Sequence, residues 1–347
     1  MAAGSDSGLL RFLGAQYVGV VFTRPDDLTD AQIVAELAAG WGFHAESCSY
    51  LPVGFGSHHW LATDATGSQL FVIVHDLPNM LQCQADTADA AFGRLRTALD
   101  CAVSLRRDGD LEFVVAPVPS ARGDVLRRLS ARYTLAVCPY LTDCKASREF
   151  AASDLPVVVR LLTRLHRATP AVTPRRWDFA LKNADGLRAA LASTGEPWDG
   201  GPYSERARAL LARHASRLTA RMAAYGKLAR QVSSRPDRFV LTHGEPDSRN
   251  VLKTPAGFVI VDWDFAELAP PERDLWQLAE TSHSVLAAYT EATGITVDDR
   301  ALAVFQMSYE LADIAEFTCL LRGRHEDTED TARSWEYLEH LLGRAER

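Results

Sequence analysis

Two short stretches constrain this chain more than any others. The first is Leu241-Thr-His-Gly-Glu-Pro-Asp-Ser-Arg-Asn250 and the second is Val259-Ile-Val-Asp-Trp-Asp264. Apolar runs over 239–241, 251–252 and 258–261 surround them, and runs of this kind predict short strands. A polar loop therefore leaves one strand carrying His243, Glu245, Asp247 and Asn250. One hairpin later, Asp262 stands at the end of a second strand. A loop and a strand end so related can converge on one point. Whatever the chain folds into must hold these side chains around a shared space.

The rest of the chain supplies two unlike frames for that space. Thr29 or Asp30 can cap a helix over 31–41, with Ile33, Leu37 and Trp41 on one face. Strand-like runs follow at 48–53, 59–63 and 69–75, the last two joined by Asp64-Ala-Thr-Gly67, which is good turn chemistry. A long helical pattern spans 85–106, and two further strands are expected at 112–116 and 133–139. Beyond Tyr140 the chain turns helical, with strong patterns at 152–168 and 204–233 and at least two helices within 301–342. The predicted class is α+β with two lobes: an N-terminal extension over 1–20, a small β-rich lobe over 21–141 and a larger helical lobe over 142–347. A length of 347 residues suits two packed units better than one core.

Composition narrows the choice of partner and compartment. There are 37 Lys and Arg against 45 Asp and Glu, so the net charge of -8 repels phosphate backbones and disfavours nucleic acid. No run approaches 18 uncharged apolar residues and no secretory signal opens the chain, so neither membrane nor export is expected. Cys48, Cys83, Cys101, Cys138, Cys144 and Cys319 form no C-x-x-C pair and read as reduced thiols in a cytoplasmic protein. The pattern says nothing of oligomeric state.

The two stretches carry a definite chemistry. Asn250 offers a neutral amide oxygen and Asp262 a carboxylate. Oxygen donors that leave room for waters and phosphates suit Mg²⁺. Glu245 or Asp247 could take a proton from an attacking hydroxyl. Phosphoryl transfer needs little beyond metal, positioning and an oriented nucleophile.

The loop and strand together resemble the aminoglycoside phosphotransferases and related small-molecule kinases, with their H-G-D-x-x-x-x-N loop and I/V-D-W strand. Asp262-Trp-Asp-Phe-Ala-Glu-Leu-Ala-Pro-Pro-Glu-Arg-Asp-Leu275 and Leu51-Pro-Val-Gly-Phe-Gly-Ser-His-His-Trp60 are similar to the spectinomycin-phosphotransferase-like branch. Leu161-Leu-Thr-Arg-Leu-His166 resembles a helix found early in the large lobe of such enzymes. The resemblance implies a protein-kinase-like fold and transfer of a γ-phosphoryl from ATP or GTP, with Mg²⁺, to a hydroxyl of a small polar acceptor. An aminocyclitol or other antibiotic would be that acceptor, with resistance or self-protection as the outcome. It implies that Gly54, Gly56 and Ser57 cover the phosphates and that Pro139, Tyr140 and Leu141 read the purine. His243 would brace the catalytic loop, Asn250 and Asp262 would bind the metal, and Asp274 would tie the loop down.

Several positions depart from the family pattern. Glu245 stands where the base is Asp, and Ser248-Arg249 replaces Pro-Gly. Residues 71–76 hold no lysine, and the helix over 85–106 has no glutamate, so both halves of the usual phosphate clamp are missing. Arg94, Arg96 or His75 could supply a substitute charge. Of His58 and His59, one is expected to pack and the other to face the cleft. Asp264, Glu267, Glu272, Glu280, Glu310, Asp313 and Glu316 could recognise ammonium groups on an acceptor. Two other readings share these residues: a pseudokinase-like binding protein, favoured by the departures, and a metabolic kinase acting on a sugar or amino alcohol.

Overall fold

A computed structural model describes residues 24–53, 56–83, 85–147 and 149–344. The extension expected over 1–20 and the expected phosphate-loop residue Gly54 lie outside them. The first element among the described residues is helix α1 (Asp30–Trp41), which starts where a capping box forms. The Thr29 hydroxyl accepts from Gln32 N, and the Gln32 side chain accepts in turn from Thr29 N. Gly42, at φ +63°, ends the helix in the left-handed conformation that glycine tolerates.

Strands β1 (Ala45–Leu51), β2 (Ser57–Asp64) and β3 (Gln69–Asp76) then form an antiparallel meander. The β2–β3 turn is closed by Asp64 Oδ1, which accepts from the N–H groups of Thr66 and Ser68, both at 2.9 Å. Helix α2 (Ala88–Arg107) crosses to β4 (Arg127–Arg128) and β5 (Tyr133–Pro139), and the sheet order is β1-β2-β3-β5-β4.

The strand expected over 112–116 is not part of this sheet. Val114 makes an isolated bridge to Ile260, with Val115 N donating to Ile260 O at 2.9 Å and Ile260 N to Phe113 O at 2.7 Å. Phe113 and Val114 are buried in the central apolar cluster. Their hydrophobicity serves a bridge between the two regions of the chain. The short β4, which carries two arginines and no apolar signal, takes the sheet edge.

The side-chain period of two gives the sheet two distinct faces. Trp60, Ala62, Val72, Val74, Leu135 and Val137 bury one face against Leu28, Ile33 and Leu37 of the α1 segment. Register puts Ser57, His59, Ile73, His75, Thr134 and Cys138 on the other. His58 belongs to the α1 face, among the rings of Tyr50, Trp60 and Tyr133. His59 lies on the opposite face, stacked on Phe71 with centroids 5.0 Å apart, and its Nδ1 bonds Val53 O at 2.7 Å. His58 is thus the one that packs against the α1 side, and His59 shares the face of Ser57 and His75, though both rings are buried.

The helical region contains α3 (Leu155–Arg167), α4 (Ala184–Ala192) and α5 (Ser204–Ser233). Four short strands follow: β6 (Val240–Thr242), β7 (Val251–Thr254), β8 (Gly257–Ile260) and β9 (Glu267–Ala269). They pair as two small antiparallel ribbons, β6 with β9 and β7 with β8. Helices α6 (Glu272–Thr281), α7 (Ser284–Thr293), α8 (Asp299–Arg322) and α9 (Glu329–Arg344) complete the chain. One apolar cluster joins α2 and the bridge segment to α3, β8, α6 and α7, and a second holds α4, α5, α8 and α9 together. The architecture is the expected α+β class, a β-rich N-terminal region on a helical C-terminal region. No helix among the described residues is long and apolar enough to cross a membrane.

Leu37 is fully buried between α1 and the sheet. Leu37→Ala should lower unfolding free energy by about 2–5 kcal/mol through lost burial and a residual cavity. Chemical denaturation measures this, and a change under about 1 kcal/mol would contradict the packing described.

Candidate active site

The candidate site is built on a buried carboxylate that hydrogen-bonds the backbone of a loop. Asp274 Oδ2 accepts from His243 N at 2.8 Å and Asp274 Oδ1 from Gly244 N at 2.7 Å. His166, near the end of α3, places Nε2 3.0 Å from the same Oδ2, while its Nδ1 lies 2.7 Å from the Tyr289 hydroxyl. Burial alone would raise the Asp274 pKa, but the His166 hydrogen bond and the surrounding positive charge bring it below the ordinary 3.8. Gly244 is required here: at φ +106°, a Cβ would also lie 2.6 Å from the Arg273 guanidinium. Arg273 in turn donates to Thr242 Oγ1 at 2.8 Å and Phe265 O at 2.9 Å.

His243 is committed at both nitrogens. Nε2 lies 2.9 Å from Val261 O and Nδ1 accepts from Glu245 N at 3.3 Å. The ring sits edge-on to Trp263, and burial lowers its pKa. This is a bracing arrangement with no nitrogen left for proton transfer.

The loop then turns on Asp247, whose Oδ1 accepts from Arg249 N at 2.8 Å while Oδ2 pairs with the Arg249 guanidinium. That internal pairing leaves Glu245 as the loop carboxylate available for a proton. Asn250 Nδ2 donates to Glu245 O at 2.9 Å, which fixes the amide and leaves Oδ1 as its remaining oxygen donor. Val261 N donates to Asn250 O at 2.9 Å, so the loop and the segment after β8 meet immediately before Asp262. Asp262 itself adopts φ +65°, a conformation costly for a non-glycine residue by about 1–3 kcal/mol.

Negative charge accumulates at this meeting point. Asp262 keeps an exposed surface, yet desolvation by the surrounding protein, with Asp264 and Asp247, raises its carboxyl to about 8. Asp264 is raised to about 7 by burial and by Glu245. Glu245 is likewise raised to about 7 by burial, Asp262 and Asp247. Such a cluster is suited to a cation, and an Asn oxygen beside carboxylates is a hard-donor set that fits Mg²⁺. Among the described residues, no group of three or more His, Cys, Asp or Glu is arranged to hold a metal alone. A nucleotide-bound Mg²⁺ asks for only one or two protein oxygens.

The sheet reaches the cluster through His75. Its Nδ1 lies 3.0 Å from Ser57 Oγ and 3.2 Å from Asp264 Oδ2. Cys138, just before the expected purine-reading residues Pro139, Tyr140 and Leu141, also feels Asp264 and Asp262. Gly56 enters β2 at φ +73°, one residue before Ser57.

Most acids expected to meet an acceptor are otherwise engaged. Glu272 is fully buried on Arg238, Glu267 pairs with Arg175, and Glu280 accepts from Gln306. Glu310 pairs with Arg221 and Glu316 with Lys182, and Asp264 Oδ2 lies 3.2 Å from His75 Nδ1. Asp313 differs. Among the described residues it has no hydrogen-bond or ion-pair partner, and its carboxyl is raised to about 8 by burial, Glu316 and Glu245. Sequence reasoning placed it among seven acids with nothing to single it out. It also missed the part His166 plays in holding Asp274, although the helix carrying it was recognised.

Taken together, a small sheet over a helical body, with a carboxylate-rich loop and strand between them, defines a phosphotransferase of the kinase-like type. The chain belongs to the phosphotransferase enzyme family, whose model matches residues 107–312. It is a kinase that transfers phosphate to a hydroxyl of a small molecule. It is 29% identical over 245 residues to Protein StrN of Streptomyces griseus, across 66% of this chain and 72% of that protein. In structure it is similar to spectinomycin phosphotransferase APH(9)-Ia in complex with ADP and spectinomycin, with TM-score 0.72 and 15% identity over 92% of this chain and 98% of that one. The choline kinase LicA of Streptococcus pneumoniae matches with TM-score 0.54 and 13% identity over 90% and 98%. At these identities the structural likeness concerns the fold.

Asp274→Asn should lower unfolding free energy by about 3 kcal/mol, because one amide oxygen cannot replace two carboxylate oxygens on three donors. Since the Asp274 pKa is lowered in the fold, its contribution is present above the ordinary 3.8 and is lost as pH falls further. The variant's deficit should therefore shrink in acid, measured by denaturation at pH 7 and pH 3. An equal deficit at both would count against the charge as the cause.

Proposed function

We propose that the chain is a Mg²⁺-dependent O-phosphotransferase that passes the γ-phosphoryl of ATP or GTP to a hydroxyl of a small cationic acceptor of the aminocyclitol or aminoglycoside class. On this reading residues 21–141 hold the nucleotide, with Gly54, Gly56 and Ser57 over the phosphates and Pro139 to Leu141 along the purine. Residues 142–347 hold the acceptor. The observation that carries the reading is the convergence of Glu245, Asn250 and Asp262 on the loop that Asp274 holds in place.

The chemistry follows from those positions. Asn250 and Asp262 would hold the metal, which would neutralise phosphate charge during transfer. Glu245 orients the acceptor O–H toward the γ-phosphorus and accepts its proton. As the new O–P bond forms, the bond from the γ-phosphorus to the bridging oxygen breaks and the nucleoside diphosphate leaves. A carboxyl raised to about 7 is well matched to a general base near neutral pH. Asp313, half-buried near Glu245 without a partner among the described residues, is the carboxyl that an ammonium group on the acceptor would meet, and the cation would draw off its proton. The similarity to a chain holding ADP and spectinomycin is consistent with this choice of ligands.

Glu245→Gln keeps the shape and removes the base. Turnover should fall by about 100-fold or more, with nucleotide affinity little changed. The wild-type rate should rise with pH along a limb at or below about 7, and this limb should be absent from the variant. Turnover that survives the substitution would reject Glu245 as the base. Asp313→Asn should raise the acceptor KM by roughly tenfold, the factor given by about 1.4 kcal/mol, and leave the nucleotide KM unchanged. Equal rises in both constants would overturn the assignment of Asp313 to the acceptor side.

A further inference from the structure

The small lobe lacks the lysine expected on β3, and α2 has no glutamate to pair with one. Phosphates entering a site already rich in carboxylates need positively polarised donors from that side. Arg94 is not free to supply them: it pairs with Asp86 and donates to Met80 O at 3.1 Å. Arg96 is exposed on α2. His75 is the remaining candidate of the three, and it sits on the sheet face that meets Asp264.

Resting on the phosphotransferase reading above, we propose that His75 is the small lobe's phosphate-positioning residue, held at Nδ1 by Ser57 and donating through Nε2 to a phosphate oxygen of the bound nucleotide. One nitrogen is committed and the other is open. Nδ1 lies 3.0 Å from Ser57 Oγ at the start of β2 and 3.2 Å from Asp264 Oδ2, in the segment that follows β8. Nε2 is buried and has no partner among the described residues.

The protonation of the ring supports a donor at Nε2. Burial pushes the His75 pKa down to about 4, so at neutral pH the imidazole carries a single N–H. In the tautomer in which the Ser57 hydroxyl donates to Nδ1, that hydrogen resides on Nε2. A buried N–H without an acceptor is rare in folded proteins and marks a place where a ligand completes the bonding. Phosphate oxygens are the acceptors that a nucleotide would bring to this face. A neutral imidazole can do part of a lysine's work here because the metal would carry most of the charge neutralisation.

Two amides divide the ring's functions. Asparagine at this position places its amide near Nδ1, and glutamine places its amide near Nε2. Calorimetry with Mg–ADP and with adenosine, on wild type, His75→Asn and His75→Gln, separates phosphate contacts from the rest. His75→Asn should weaken Mg–ADP binding by roughly tenfold or more and leave adenosine binding within about twofold. His75→Gln should bring Mg–ADP affinity back to within about threefold of wild type. Unchanged Mg–ADP binding in His75→Asn would overturn the proposal, as would parallel losses for ADP and adenosine, which indicate a purely structural role. If wild type binds neither ligand, the phosphotransferase reading fails first and this inference with it. Should the variants not fold, ¹⁵N resonances of the wild-type His75 ring decide: Mg–ADP should shift Nε2, and an unmoved Nε2 overturns the proposal.

Discussion

The site depends on one buried carboxylate accepting from two consecutive backbone N–H groups. Asp274 holds His243 N and Gly244 N, and His166 holds Asp274. Each bond to an ionised acceptor is worth about 1.5–3 kcal/mol, so the loop is held far more firmly than its sequence of small polar residues would suggest. With the loop start set, His243 ties it to Val261, and Asn250 returns to Glu245 O and Val261 N. The positions of Glu245 and Asp262 are therefore consequences of an acid twelve residues beyond Asp262, on helix α6.

That frame crowds carboxyls that, without a cation, hold their protons to near neutral pH. Glu245, Asp262 and Asp264 all have pKa values well above ordinary carboxylates. Raised acids in the fold release protons later than in the unfolded chain, so stability declines as pH rises from about 4 toward about 8. The same groups become an asset when a cation arrives. The left-handed Asp262 adds backbone strain at the same point, which is a frequent sign of a functional position. Stability and function thus pull against each other at the end of β8.

Much of this was legible in the sequence because it is local. The α1 cap at Thr29, the β2–β3 turn at Asp64 and the bounds of α5 follow from capping, turn chemistry and helical periodicity. The loop and strand motifs indicated which residues belong together, and Asp274 was expected to tie the loop down. The misses share a cause. The apolar run over 112–116 looks like a strand, but long-range packing against Ile260 decides its fate. Arg127–Arg128 forms a strand only because β5 offers an edge. Asp313 gained its distinction from the pairing of its neighbours, and His75 from the contact with Asp264, and no one-dimensional pattern reports such contacts. Asp247 read as a base candidate by residue type alone, until the structure placed Arg249 on it.

The central claim is that this loop and strand carry out transfer to an acceptor hydroxyl with Mg–nucleotide as donor. The direct measurement is ³¹P NMR of reactions containing the protein, ATP or GTP, Mg²⁺ and single acceptors drawn from aminocyclitols, aminoglycosides and amino alcohols. A new phosphomonoester resonance on one acceptor, absent in excess chelator and absent with Asp262→Ala, is the predicted result. Nucleotide binding with no phosphomonoester on any acceptor, or transfer that persists without metal, would contradict it.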